Sequence, residues 1–194
     1  MSREIDLNER RISKADVLKV AIFAVEILII IFVVFAIMHK GLVQMKVVDE
    51  NMKPTLNTNE TIIINKMAYK LGKVRRNDVI VIKEQSSDRV FYSTVRVVGL
   101  PNEKVQIKKG YVYINGKKLK KKYDFPKIDD AGLAEDTVAL GKKEYFVLGD
   151  NIDTALDSRD ATIGNIKKDN IIGKVFIRKK PFAFVQGIDA FDKK

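Results

Sequence analysis

Cysteine and tryptophan are absent from this 194-residue sequence, and histidine occurs once, at position 39. Without cysteine there is no disulfide framework, no thiolate nucleophile and no cysteine-based metal site. One histidine cannot build a multi-histidine metal centre and argues against a Ser-His-Asp triad. Any hydrolytic chemistry here has to run without histidine. No nucleic-acid-binding motif and no glycine-rich phosphate loop is found, so neither a nucleic-acid partner, nor a cofactor, nor a metal is expected.

Charge is plentiful and unbalanced. Lysine and arginine number 36 against 25 acidic residues, a net charge of +11. Residues 1–40 hold six basic and five acidic side chains, which leaves +10 on the remainder. Such a surface suits an anionic membrane surface or an anionic wall polymer.

Residues 20–38, VAIFAVEILIIIFVVFAIM, are apolar at every position but Glu26. Nineteen helical residues span roughly 28 Å, close to the thickness of a bilayer's hydrocarbon core. Because the run is apolar all round, it reads as a transmembrane helix rather than a buried core helix. FAIMHKG offers no small-residue cleavage site, so the segment reads as a retained anchor rather than a signal peptide. Arg3, Arg10, Arg11, Lys14 and Lys19 precede it, whereas Lys40 and Lys46 follow closely. The positive-inside rule then predicts residues 1–19 in the cytoplasm, a single-pass anchor over 20–38, and residues 41–194 outside the cell membrane. Glu26 reads as a protonated or snorkelling side chain, with a contact to a partner's transmembrane helix as the functional alternative.

Beyond the anchor, short extended runs replace helical periodicity. Strands are predicted over 42–48, 61–65, 78–83, 89–98, 105–108, 111–114, 144–148 and 171–178, each rich in Val, Ile, Tyr or Phe and bounded by turn residues. Asn115-Gly116 suits a type I′ hairpin turn. Residues 117–143 look irregular and open with KKLKKK, read as a solvated turn. The expected fold is mostly β, a barrel or packed sheets, preceded by one transmembrane helix.

Four segments, in order, resemble the boxes of type I signal peptidases, membrane-anchored Ser-Lys proteases that remove signal peptides from exported proteins. VVDENMKPTL (47–56) resembles Gly-x-Ser-Met-x-Pro-Thr-Leu. RRNDVIVIK (75–83) looks like Gly-Asp-Ile-Val-Val-Phe. VRVVGLPNEKV (95–105) resembles Lys-Arg-Val-Ile-Gly-x-Pro-Gly-Asp-x-Val, and VLGDNIDTALDSR (147–159) is similar to Gly-Asp-Asn-Arg-x-x-Ser-x-Asp-Ser-Arg. Together the likeness covers about residues 15–182, and the single N-terminal span is similar to the Gram-positive form, which implies a bacterial cell membrane with the main domain extracytoplasmic.

The resemblance implies a serine nucleophile and a lysine base whose pKa is lowered by desolvation. At the matching positions stand Asn51 for the serine and Val95 for the lysine. Ala155 replaces the hydroxyl beside the lysine, and Ile152 replaces an arginine. Asp49 stands where the family has Gly or Ser near the oxyanion site, and its charge opposes a developing oxyanion. Ser93 with Lys53 is the one substitute dyad the sequence offers. Asp49, Asn51, Met52, Ser93 and Val95 are expected to line a groove for a substrate or partner. Pro54, Gly149, Asp150, Asn151, Asp157, Ser158 and Arg159 read as a structural box.

Three functions follow as expectations. The first is a signal-peptidase-like membrane protein without peptidase activity. It would bind an extended polypeptide, a pilin or another exported precursor, as an accessory factor in export or pilus assembly. The second is an active signal peptidase with an altered site. The third is a membrane-tethered binding module for anionic wall polymer or lipid.

Overall fold

A computed structural model describes residues 13–86, 89–119 and 125–185. The chain divides into two units, residues 1–40 and 41–194.

In the first unit a helix, α1, covers Lys14–Gly41 and so extends the apolar run by several residues at each end. Its side chains, Leu28, Phe32 and Phe35 among them, are exposed on every face described, as an apolar helix requires when lipid is to be its solvent. The stretch Lys14–Ala36 is long and apolar enough to cross a membrane.

The second unit is built from two antiparallel sheets. The larger contains β1 (Leu42–Lys46), β2 (Thr61–Asn65), β3 (Val79–Ser86), β4 (Arg89–Gly99), β9 (Glu144–Leu148), β10 (Ile166–Lys167), β11 (Ile171–Arg178) and β12 (Ala183–Phe184). Their order is β1-β2-β11-β3-β4-β9-β10, with β12 paired to β11. The smaller sheet is β7-β6-β5-β8, from β5 (Lys104–Lys108), β6 (Tyr111–Ile114), β7 (Lys117–Lys118) and β8 (Val138–Ala139). The mostly β architecture expected from the extended runs is therefore present.

Strand β3 explains why the core forms where it does. Val79, Ile80, Val81 and Ile82 are consecutive and all buried, so both faces of the sheet are covered there. Val79 and Val81 pack with Val47, Met52, Leu56, Ile62 and Ile64. Ile80 and Ile82 pack on the other face with Val95, Val97, Tyr145 and Val147. A third cluster joins the small sheet to Phe146, Leu148 and Ile152.

Differences from the expected elements lie mainly at short pieces. β1 stops at Lys46 rather than residue 48: the Val47 N–H still bonds Glu60 O in register (2.9 Å), but Val47 O accepts from the Asn59 N–H (2.8 Å) and the Glu60 N–H turns to Asn57 O (3.1 Å), which ends the ladder in a turn. A one-turn helix, α2 (Ala68–Leu71), follows β2, with the Asn65 carboxamide oxygen accepting from the N–H groups of Met67 and Ala68. The segment expected to be irregular holds β7, β8 and a 3-10 turn at Gly132–Glu135. Lys118 of the lysine run lies over the Tyr111 ring; residues 120–122 of that run fall outside the described residues. Asn115 and Gly116 both have positive φ, 50° and 76°, as the hairpin turn demands.

Candidate functional site

Three pieces of chain meet here: the turn after β1, strand β4, and the loop that follows β9. Asp49 and Asn51 come from the first, Thr94 and Arg96 from the second, and Gly149 to Arg159 from the third. Antiparallel registers Val81↔Thr94 and Val79↔Arg96 fix which β4 side chains face the turn.

Asn51 is nearly buried, at 7% exposure. Its Nδ2 donates to Leu156 O and its Oδ1 accepts from the Leu156 N–H, both at 3.2 Å. The side-chain amide thus copies the two-bond pairing of an antiparallel strand and clamps the loop after β9. The Asn51 carbonyl accepts from the Asn151 N–H at 2.9 Å. Gly149 is required by this approach, since a Cβ there would lie 2.5 Å from Asn51 O and 2.3 Å from the Ala155 Cβ. Positions 51 and 155 are therefore brought together against Gly149.

Asp49 is held by three donors. The Thr94 N–H reaches Oδ2 at 2.8 Å, the Thr94 hydroxyl reaches Oδ1 at 2.9 Å, and the Asn51 N–H reaches Oδ1 at 3.2 Å. A carboxylate consequently occupies the backbone donor of Asn51. It also takes a donor on β4 that is not used by β3. Thr94 was not singled out in the sequence, where nothing separates it from an ordinary strand threonine.

Underneath lies a buried ion pair. Arg96 donates from Nε to Asp150 Oδ1 (2.7 Å) and from Nη2 to Oδ2 (2.5 Å), and both side chains are fully buried. The Thr55 hydroxyl also donates to Asp150, and Arg96 Nη1 reaches Asn77 O and Oδ1. Pro54 and Thr55 belong to the turn that delivers this hydroxyl. Arg96 escaped the sequence reading as a site residue. One arginine within Val95-Arg96-Val97-Val98 was the available signal, because a cation flanked by apolar strand residues needs a buried partner. A second pair, Arg159 on Asp157, is bidentate at 2.9 Å, and Asp157 Oδ2 also accepts from the Gly149 N–H at 3.0 Å. The Ser158 hydroxyl accepts from the Val147 N–H at 2.9 Å, and Asn151 Nδ2 donates to Glu50 O. These residues tie the loop after β9 to the sheet.

Two of the expected groove residues are placed otherwise. Met52 and Val95 are wholly buried and belong to clusters on opposite faces of the β3–β4 pair, so neither lines an open groove. Strand alternation is the reason: Thr94 turns to Asp49, which sends Val95 into the opposite core with Ile80, Ile82 and Val97. Asp49 and Ser93 are partly exposed. The Ser93–Lys53 dyad is not formed. Lys53 Nζ pairs with Glu50 at 2.7 Å on the surface, and Ser93 lies beside Glu84. Burial raises the Glu84 carboxyl above its ordinary pKa, with the Ser93 hydroxyl opposing that rise and the Asp49 charge adding to it. Among the described residues no group of three or more His, Cys, Asp or Glu side chains could hold a metal ion.

Residues 19–179 match the family model described as signal peptidase, peptidase S26. Signal peptidase I of Bacillus caldolyticus is 35% identical over 144 residues, covering 69% of this chain and 76% of the relative. Signal peptidase IB of Staphylococcus aureus is 33% identical over 151 residues, covering 69% of this chain and 75% of the relative. Among solved structures, a signal peptidase I from Enterococcus faecalis V583 aligns with a TM-score of 0.41 and 26% identity, over 53% of this chain and 97% of that one.

Proposed function

The chain belongs to the signal peptidase family, peptidase S26, and on that premise we propose that it holds an extended polypeptide at the outer face of the membrane without cutting it. Helix α1 is the anchor, residues 1–19 lie in the cytoplasm, and residues 41–194 are the extracytoplasmic domain. The bound polypeptide is an exported precursor, with a pilin subunit one candidate, and the chain acts as an accessory factor in export or pilus assembly.

One observation carries this reading: the Asp49 carboxylate sits on the N–H groups of Asn51 and Thr94. Acyl transfer needs free donors where the carbonyl oxygen gains charge. An anion already bonded to those donors leaves a bound carbonyl unpolarised. The groups that would attack are also missing. Asn51 has no hydroxyl and its amide is engaged on both sides by Leu156. Val95 offers no amine, and the hydroxyl against Asp49 belongs to Thr94, which is only 3% exposed.

The relatives named signal peptidase I favour the second reading, a peptidase with an altered site. One experiment separates the two. The full chain, reconstituted in liposomes, is incubated with a preprotein, and in parallel a photocrosslinker placed at position 51 is activated in cells. The expected outcome is no cleavage together with a crosslink to an exported polypeptide. Site-specific cleavage that disappears in Ser93→Ala would overturn the proposal, and crosslinks to lipid or wall polymer alone would remove its partner.

A further inference from the structure

The second unit holds a cavity of about 350 Å³ that plays no part in the site above. It is lined by Lys66, Tyr69 and Lys70 from the α2 region and by Lys168, Asp169, Ile171 and Ile172 around the start of β11. Three ammonium groups and one carboxylate leave a net positive rim. The ammonium groups of Lys66, Lys70 and Lys168 have no ion-pair or hydrogen-bond partner among the described residues, whereas Lys174 nearby is neutralised by Asp78 at 2.6 Å. The remaining wall is apolar, from the two isoleucines and the body of Tyr69. That hydroxyl donates to Asp78 at 2.9 Å, and burial, reinforced by the Asp78 charge, raises its pKa. Tyr69 therefore stays neutral and offers the cavity no competing anion.

Chain connectivity ties one wall of this cavity to the residues that follow the apolar run. The Lys66 N–H donates to Gly41 O at 2.8 Å, and Gly41 is the last residue of α1. It lies three residues beyond the apolar run 20–38, about 4.5 Å further along a helix. The headgroup layer on each side of a bilayer is roughly 5–7 Å thick. Lys66 is thus hydrogen-bonded to the third residue after the apolar run.

We propose that the cavity between Lys66, Lys70 and Lys168 binds the phosphate of an anionic lipid headgroup, with Ile171 and Ile172 against its apolar portion. The site rests on the reading of α1 as a membrane anchor and is independent of what the Asp49 site does. It would hold the outer domain at a fixed depth, which diffuse attraction of a basic surface to lipid does not.

The test uses the full chain in neutral detergent micelles, with bound lipid counted by native mass spectrometry. Phosphatidylglycerol should bind in preference to phosphatidylcholine. Replacing all three lysines, Lys66→Gln, Lys70→Gln and Lys168→Gln, should weaken phosphatidylglycerol binding by at least about tenfold, given the contribution of each cation near an anionic surface. Removing equal charge from the small sheet, with Lys104→Gln, Lys108→Gln and Lys117→Gln, should leave binding within about twofold of the unmodified chain on the same reasoning. Asp169→Asn, which deletes the one opposing charge on the rim, should tighten it. Equal binding of phosphatidylcholine, or equal loss in the small-sheet variant, overturns the inference. Displacement of phosphatidylglycerol by millimolar inorganic phosphate shows a free-anion site and overturns the lipid assignment. Extraction of the chain from membranes by alkaline carbonate would instead refute the anchor itself.

Discussion

Removing the Asp49 carboxylate should make the domain less stable and the site more receptive. In Asp49→Ala the Thr94 N–H, the Thr94 hydroxyl and the Asn51 N–H all lose their acceptor. A buried donor left unpaired costs about 1–3 kcal/mol. The Thr94 N–H carries most of that, since Thr94 is 3% exposed. Its hydroxyl can rotate, and water can reach part of the space left by the partly exposed Asp49. The expected total is about 2–3 kcal/mol, or a fall in Tm of roughly 5–10 °C for a domain of this size. Asp49→Asn keeps an acceptor oxygen and should lose about 1 kcal/mol or less. The same change frees two backbone donors for a peptide carbonyl. Affinity for an extended signal-sequence peptide should rise about tenfold in Asp49→Ala, equivalent to 1.4 kcal/mol. Thermal circular dichroism of the full chain in detergent measures the first effect, and fluorescence anisotropy of a labelled peptide the second. A variant that melts earlier but binds peptide no better refutes the idea that Asp49 competes for those donors. Unchanged melting refutes the network itself.

The buried Arg96–Asp150 pair makes a second test. Arg96→Met or Asp150→Leu alone should cost about 3–5 kcal/mol by stranding a buried charge, while the double variant should recover most of it, short of full rescue because Thr55 and Asn77 lose partners; urea midpoints decide. Gly149→Ala should cost about 1–3 kcal/mol, because its new methyl meets both Ala155 and Asn51 O. Adding Ala155→Gly relieves one of those clashes and should restore only part of the loss, as followed by Tm.

Much of the fold was legible because β3 opens on four consecutive β-branched residues, Val79 to Ile82, β4 is rich in valine and aromatics, and the Asn115-Gly116 turn has a definite signature. Strands β2, β6, β9 and β11 were read with their observed limits, 61–65, 111–114, 144–148 and 171–178. Two-residue strands such as β8 and β10 were invisible, since two residues have no periodicity and exist only through their partners. In the candidate site, Asn51, Asp49 and Ala155 stood out against the family motif. Their meaning did not, because the Asn51–Leu156 pairing bridges 105 residues of sequence. Val95 shows the limit from the other side. Its position in a motif suggested a groove and its apolar side chain a buried pocket; strand alternation and its hydrophobic neighbours put it in the core.

Asn51 is more than an absent hydroxyl. A serine at 51 has one short side-chain oxygen and could not make both bonds that the carboxamide makes to Leu156. Position 51 therefore has a structural use that an attacking group could not serve, since a nucleophile must stay free of such bonds. The frame around it is held by Arg96 on Asp150, Arg159 on Asp157, and the bare backbone of Gly149. The residues at 49, 51, 95 and 155 each pack or hydrogen-bond against this frame or the core beside it. Each of them is engaged that way here. Asp49 caps two backbone donors, Asn51 clamps a loop, Val95 fills the core, and Ala155 fits against a glycine.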